Sequence, residues 1–150
     1  MPPNNYDLSL EYARADFNQR HRLELFGSIT PGRKINFGIT TSLATGRPYS
    51  LTTGLDAFNT GSANARPVGV PRNSLTGPGY ANVDLRWSRE FTVSPPGAPK
   101  RTVTPGLDAF NVLNRVNYNQ FVGNLSSPFF GRASSAQPPR RLQFSLRVRY

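Results

Sequence analysis

The sequence predicts an all-β protein, an antiparallel up-and-down meander of about six strands. Three observations predict it. The chain holds 13 Gly and 14 Pro among its 150 residues, which disfavours long helices and favours strands joined by turns. Six segments alternate apolar and polar residues at a period of two, the mark of strands with two unlike faces. No segment carries a convincing helical period.

Taken in order, the first strand is expected near 6–14, where Tyr6, Leu8, Leu10 and Tyr12 alternate with Asp7, Ser9 and Glu11. The second, near 20–30, sets Leu23, Leu25, Gly27 and Ile29 against Arg22, Glu24, Phe26 and Ser28. The third, near 33–48, is the longest run, with Ile35, Phe37, Ile39, Thr41 and Leu43 opposing Lys34, Asn36, Gly38, Thr40 and Ser42. The fourth, near 79–94, opposes Val83, Leu85, Trp87, Phe91 and Val93 to Asn82, Asp84, Arg86, Ser88 and Glu90, with Arg89 out of pattern. The fifth, near 100–114, is weaker: Val103, Pro105, Leu107 and Ala109 alternate with Thr102, Thr104, Gly106 and Asp108. The sixth, near 140–150, is the cleanest, with Leu142, Phe144, Leu146, Val148 and Tyr150 opposing Arg141, Gln143, Ser145, Arg147 and Arg149.

The polar faces limit the architecture. Glu24, Lys34, Asp84, Arg86, Arg147 and Arg149 could not line a dry core unpaired. Either an antiparallel sheet turns its polar face to bulk water, as in a soluble sandwich, or a barrel meets lipid with its apolar face and encloses a wet lumen with the other. The connections favour the barrel. Short linkers at 30–33 and 94–100 alternate with longer ones at 15–20, 46–79 and roughly 114–139, as in transmembrane barrels, where short turns lie on one side and long loops on the other. In that frame Tyr6, Phe91 and Tyr150 fall near the short-turn side, and Tyr12, Tyr49 and Tyr80 near the long-loop side, as two aromatic girdles would. Six strands are fewer than the minimum of about 8 that closes such a barrel, so the expectation is a partial transmembrane β-barrel.

Composition removes several functions. Without Cys there is no disulfide framework, thiolate metal site or Cys nucleophile. His21 is the single His, too little for a His-rich metal centre or a Ser-His-Asp triad. No enzymatic activity and no cofactor are expected. The chain carries 18 Lys and Arg against 8 Asp and Glu, a net charge of +10. All of these cations but Lys34 and Lys100 are Arg, spread from Arg14 to Arg149 and not gathered on one segment as in a nucleic-acid footprint. The opening MPPNNYDLSL has neither the basic nor the apolar region of a signal peptide.

The stretch GRPYSLTTGLDAFNTGSANARPVGVPRNSLTGPGYANVDLRWSREF, residues 46–91, resembles the late-barrel region of TonB-dependent outer-membrane receptors, in particular the Oar-like group. The resemblance continues through AFNVLNRVNY (109–118), VGNLSSPFFGRASSAQPPRRLQ (122–143) and the closing FSLRVRY, and RHRLELFGSITP at 20–31 is similar to an earlier barrel strand of that family. It covers nearly the whole chain, with several motifs in the family's order. It implies a gated transporter in the outer membrane, with a barrel of about 22 strands, an N-terminal plug, and energy delivered through TonB. Neither plug nor TonB box is visible, so residues 1–150 are expected to form the C-terminal part of such a barrel, engaging TonB only through a missing N-terminal part. A truncated gene, a fragmentary sequence or a separately encoded remnant would each account for this.

The resemblance also implies a role for the final strand. In outer-membrane barrels a last strand of alternating apolar residues with a terminal aromatic is recognised by the barrel-assembly machinery, and Leu142, Phe144, Leu146, Val148 and Tyr150 fit that pattern. Lipid is the expected partner of the apolar face, and long-loop cations such as Arg66, Arg72 and Arg132 could meet anionic lipopolysaccharide. Asp56, Asn59 and Asn64 in a Gly-rich loop are too poor in carboxylate for calcium, which takes 6–8 oxygens, and read as a solvated turn. Asn111, Asn114, Asn117 and Asn119 read as residues that satisfy backbone groups where a strand enters a loop. GLDAFN occurs at 54–59 and again at 106–111, with flanks that do not match. The other function classes are a soluble basic β module binding nucleic acid and a nonfunctional gene remnant. The placement of most aromatics opposite the charged positions, with Phe26 an exception, disfavours nucleic-acid binding.

Overall fold

A computed structural model describes residues 4, 6–32, 34–97 and 99–150. The chain divides into two compact units, one of residues 1–22, 44–80 and 117–137, the other of residues 23–43, 81–116 and 138–150. The second is built on the meander and the first on the long connections.

The meander consists of β1 (Arg22–Ile29), β2 (Ile35–Ala44), β5 (Tyr80–Arg89), β7 (Thr102–Phe110) and β10 (Arg141–Arg149), paired in that order, with the short β6 (Phe91–Thr92) also on β7. β5, β6 and β10 each pair antiparallel with β7. The all-β up-and-down meander is therefore the observed fold, and the sheet is open, with β1 and β10 at its edges. β5 and β6 keep one register against β7: Leu85 faces Ala109 and Trp87 faces Leu107, then Phe91 faces Val103. Continuing that register sets Arg89 opposite Pro105. Pro105 has no N–H to give, and the ladder lapses there. Arg89 thus holds an apolar-face position in an unbroken alternation.

The first expected strand does not form. Residues 6–14 contain a short 3₁₀ turn, Ser9–Glu11, begun by the Asp7 carboxylate accepting the Ser9 N–H at 2.9 Å. The apolar–polar alternation is real, but its polar members are used locally and on residues 66–76. The Leu10 carbonyl accepts from the Arg72 N–H, Glu11 pairs with Arg66, and the Arg14 guanidinium donates to the Asn73 and Ser74 carbonyls and the Thr76 hydroxyl. Tyr6 and Tyr12 accordingly stand exposed outside any strand and belong to no girdle. The third expected strand ends early, at Ala44, and its expected start, Arg33, lies outside the described residues.

The long connections carry pairing that periodicity does not reveal. In the connection from β2 to β5, β3 (Pro48–Tyr49) pairs antiparallel with β4 (Leu75–Thr76); in that from β7 to β10, β8 (Tyr118–Phe121) pairs with β9 (Ala133–Ala136). The two connections also join each other through a Thr52–Asn124 bridge. Two glycines make close backbone crossings possible. A Cβ on Gly46 would lie 1.7 Å from the Gly77 carbonyl oxygen, and one on Gly123 would lie 1.9 Å from that of Ser50.

No side-chain rotation can relieve a clash with backbone, so Gly123→Ala is expected to cost at least the roughly 1–3 kcal/mol of an overpacked site. Hydrogen exchange should accelerate at the amides of Thr52 and Leu125, which bond across that crossing, while the β7–β10 ladder keeps its protection. Unchanged exchange at Thr52 and Leu125 would contradict the crossing.

Candidate functional site

Strand side chains alternate between faces, and the registers place them residue by residue. One face carries the ladders Leu85–Ala109–Leu142, Trp87–Leu107–Phe144, Pro105–Leu146 and Phe91–Val103–Val148. Gly27 belongs to the same face, since a Cβ there would touch the Ile39 side chain. The other carries Arg86–Asp108–Gln143, Ser88–Gly106–Ser145 and Thr104–Arg147. Gly38 adjoins Arg86 on that side.

The apolar face is bare. Among the described residues the only buried hydrophobic side chains are Ala65 and Ala81, whereas Phe37, Ile39, Leu85, Leu142, Phe144, Leu146 and Val148 are all exposed. Phe144 is 78% exposed and Leu146 68%. Monomeric proteins in water rarely show an apolar area of this extent. The strands also have suitable length: 10 residues in β2 and β5, 9 in β7 and β10, against the 9–11 or so that cross a bilayer at a tilt. Arg89, at the short-connection end of this face, lies over the Phe91 ring at 4.9 Å. That arrangement suits an amphipathic cation reaching the head-group level.

The polar face is paired and hydrogen-bonded. Arg86 Nε meets Asp108 Oδ1 at 2.9 Å across the β5–β7 ladder, Lys34 Nζ donates to Thr92 Oγ1 at 2.6 Å, and the Arg141 guanidinium covers the Phe110 ring at 5.0 Å. Such charges are tolerated where water reaches them.

The long connections are held by asparagines. Asn73, 2% exposed and with a left-handed φ of 56°, accepts from Ser50 Oγ and from Arg14 and donates to the Arg14 carbonyl at 2.6 Å and to Asp16 Oδ1 at 2.7 Å. Asn111, at φ 49°, donates its N–H to Asp84 Oδ1 at 2.8 Å and its amide to the Arg115 carbonyl at 3.0 Å. Asn114 accepts the Arg140 N–H, the Asn117 carbonyl accepts the Gln137 N–H, and Asn119 Oδ1 accepts from Gln137 Nε2. The asparagine run thus supports backbone and neighbouring side chains, as the sequence suggested. Asp56 likewise spends its oxygens on the N–H groups of Thr60 and Gly61, and these bonds hold its carboxyl below the usual range.

The anticipated site residues fall in two places. Leu142, Phe144, Leu146 and Val148 share the exposed apolar face of edge strand β10, and Tyr150 follows it, fully exposed. Of the loop cations, Arg66 is nearly enclosed and paired with Glu11, and Arg72 pairs with Asp16 at 2.7 Å. The Arg66 pair is withdrawn from the surface, the Arg72 pair lies at it, and Arg132 stays exposed. Of the expected girdle, Tyr49 stacks on Phe121 at 5.2 Å inside the long-connection unit, whereas Phe91 does lie on the apolar face of the sheet.

Comparison with known proteins agrees with this surface. The family model of the outer membrane beta barrel domain matches residues 68–143, half of the chain. No curated protein and no solved structure matches it.

Hydrogen bonds from Arg72 and then from Asn73 hold the Asp16 carboxyl below its ordinary value. A depressed carboxylate contributes stability that is fully present above its unfolded pKa, about 3.9, and is lost as pH falls through the lower folded value. Asp16→Asn should therefore flatten the acid limb of stability below about pH 4 and leave its shape unchanged at neutral pH, as read by thermal unfolding across pH. Asn73→Ala, which leaves several buried groups unpaired, should destabilise by about 1–3 kcal/mol or more at any pH.

Proposed function

We propose that this chain, which belongs to the outer membrane beta barrel domain family and so to the outer membrane, is the C-terminal barrel segment of a TonB-dependent transporter of the Oar-like group. The observation that carries the reading is the sheet itself: membrane-length strands with an apolar face interrupted only by Arg89 at its short-connection end, a polar face bearing the Arg86–Asp108 pair on the other side, and two open edges. In lipid every backbone group must be satisfied, so strands cross a membrane only in closed barrels. The strands described are too few to enclose a lumen. Transport is accordingly a property of the larger barrel in which β1 and β10 find their neighbours.

The final strand supports a second part of the proposal. Leu142, Phe144, Leu146, Val148 and Tyr150 form an exposed, alternating edge that the barrel-assembly machinery would read as the last strand. TonB would be engaged by a part of the protein outside these 150 residues.

In its native membrane the protein carrying this segment should require detergent for extraction, migrate as a heat-modifiable species well above 16.6 kDa, and cross-link to TonB in energised cells. A water-soluble 16.6-kDa species would overturn the reading, and a salt-dependent nucleic-acid binder in plain buffer would replace it. Deleting Tyr150 should reduce the heat-modifiable fraction, and unchanged assembly would remove the proposed signal. On the folded barrel, Leu146→Arg should cost up to about 2–4 kcal/mol in lipid, whereas Gln143→Arg, on the wet face, should be nearly neutral in a denaturant titration.

A further inference from the structure

Within the long-connection unit, β3, β8 and β9 line an open pocket of about 400 Å³ with Arg47, Gln120 and Ser134 exposed at its surface and Tyr49 half-buried beside them, Asp16, Ser50, Asn73 and Asn119 around them and the Phe121 ring as an apolar wall. This volume falls in the range of small-molecule sites, roughly 300–1,000 Å³. Its walls are fixed in place. Tyr49 and Phe121 stack with rings 25° from parallel. A Cβ on Gly77 would stand 2.6 Å from the Phe121 ring, so that ring is seated against backbone. The Thr52 N–H binds the Gly123 carbonyl at 2.8 Å, and the Gly123 crossing of Ser50 locks the same region.

The hydrogen-bonding capacity of the lining divides unequally. Asp16 is spent on Arg72 and Asn73, Ser50 on Asn73, and Asn119 on Gln137. Among the described residues the Arg47 guanidinium, the Tyr49 hydroxyl, the Gln120 amide and the Ser134 hydroxyl have no partner. The one carboxylate at the cavity is thus offset by Arg72, and the unspent charge is the cation of Arg47, a planar fork suited to a carboxylate or phosphate. The other unspent groups exchange donor and acceptor roles readily, as hydroxyl recognition needs.

We propose that this cavity binds a small hydroxylated ring bearing an oxyanion, a sugar acid or a sugar phosphate, with the oxyanion on Arg47 and the ring hydroxyls on Gln120, Ser134 and Tyr49. The inference concerns binding alone and stands whether or not the larger barrel transports.

The test is calorimetric titration of the protein extracted in detergent, its folded state verified by the heat-modifiable band, with glucuronate, glucose 6-phosphate and glucose as probes. At least one of the two anionic sugars should bind at least tenfold more tightly than glucose, and whichever binds tighter identifies the oxyanion as carboxylate or phosphate. Arg47→Gln should erase that preference, and Ser134→Ala should weaken the anionic and neutral sugars alike. Equal affinity for glucose and both anionic sugars, an unchanged preference in Arg47→Gln, or no saturable binding by the folded protein would each overturn the proposal. The comparison among probes needs no variant, so a substitution that fails to fold leaves the proposal open to refutation.

Discussion

The apolar side chains of the meander stand exposed on one of its faces instead of in a core, and most of the protein's organisation depends on that inversion. In a water-soluble sheet protein the ladders Leu85–Ala109–Leu142 and Trp87–Leu107–Phe144 would face a second layer and form a core. Here the buried hydrophobic side chains among the described residues are two alanines. The sheet is held by its backbone ladder, and the hydrophobic contribution becomes available only when lipid covers the exposed face. The same inversion explains why Arg86, Asp108 and Gln143 can stand in register on the opposite face: the exposed Arg86 pairs with the largely buried Asp108, and Gln143 is exposed, so none is an unpaired charge in a dry interior.

Without a core, the long connections depend on specific polar bonds. Asn73 joins Arg14, Asp16 and Ser50, and Asn111 ties the end of β7 to Asp84 of β5 and to Arg115. Both have positive φ, a conformation that asparagine tolerates better than most side-chain-bearing residues. Glycines at 46 and 123 let backbones cross. Hydrogen bonds of this kind contribute little each but cost much when half is removed, so such a unit is shaped more by satisfied geometry than by buried area.

Open edges are the third consequence. β1 and β10 end the sheet, and an unpaired edge with an apolar face favours pairing with another chain. A closed barrel removes the edge, and lipid permits no other resting state for strands of this length. The exposed ladder of β10 and the lipid-facing role of the sheet are therefore two aspects of one requirement, that this segment be completed by neighbouring strands.

The meander was legible in the sequence because its period of two is a direct readout of two solvents: Leu142 to Val148 alternate with Gln143 to Arg149 whatever else the chain does. The support given by Asn111 was legible too, since its side-chain bonds with Arg115 are local, whereas that of Asn73 was not, because its partners lie at residues 14, 16 and 50. The same alternation at Tyr6–Tyr12 produced no strand, because Glu11 and Arg14 find partners at Arg66 and at Asn73 to Thr76, contacts distant in sequence. For that reason too the cavity at Arg47 and Gln120 has no sequence signature. The hexapeptide GLDAFN marks the division. In both copies the closing asparagine takes a positive φ, 50° at Asn59 and 49° at Asn111, a local preference that sequence alone carries. Yet Asp56 binds its own turn, while Asp108 meets Arg86 across a ladder. Tertiary structure decided that difference, because only at 106–111 do β5 and β10 offer backbone on both sides to pair with.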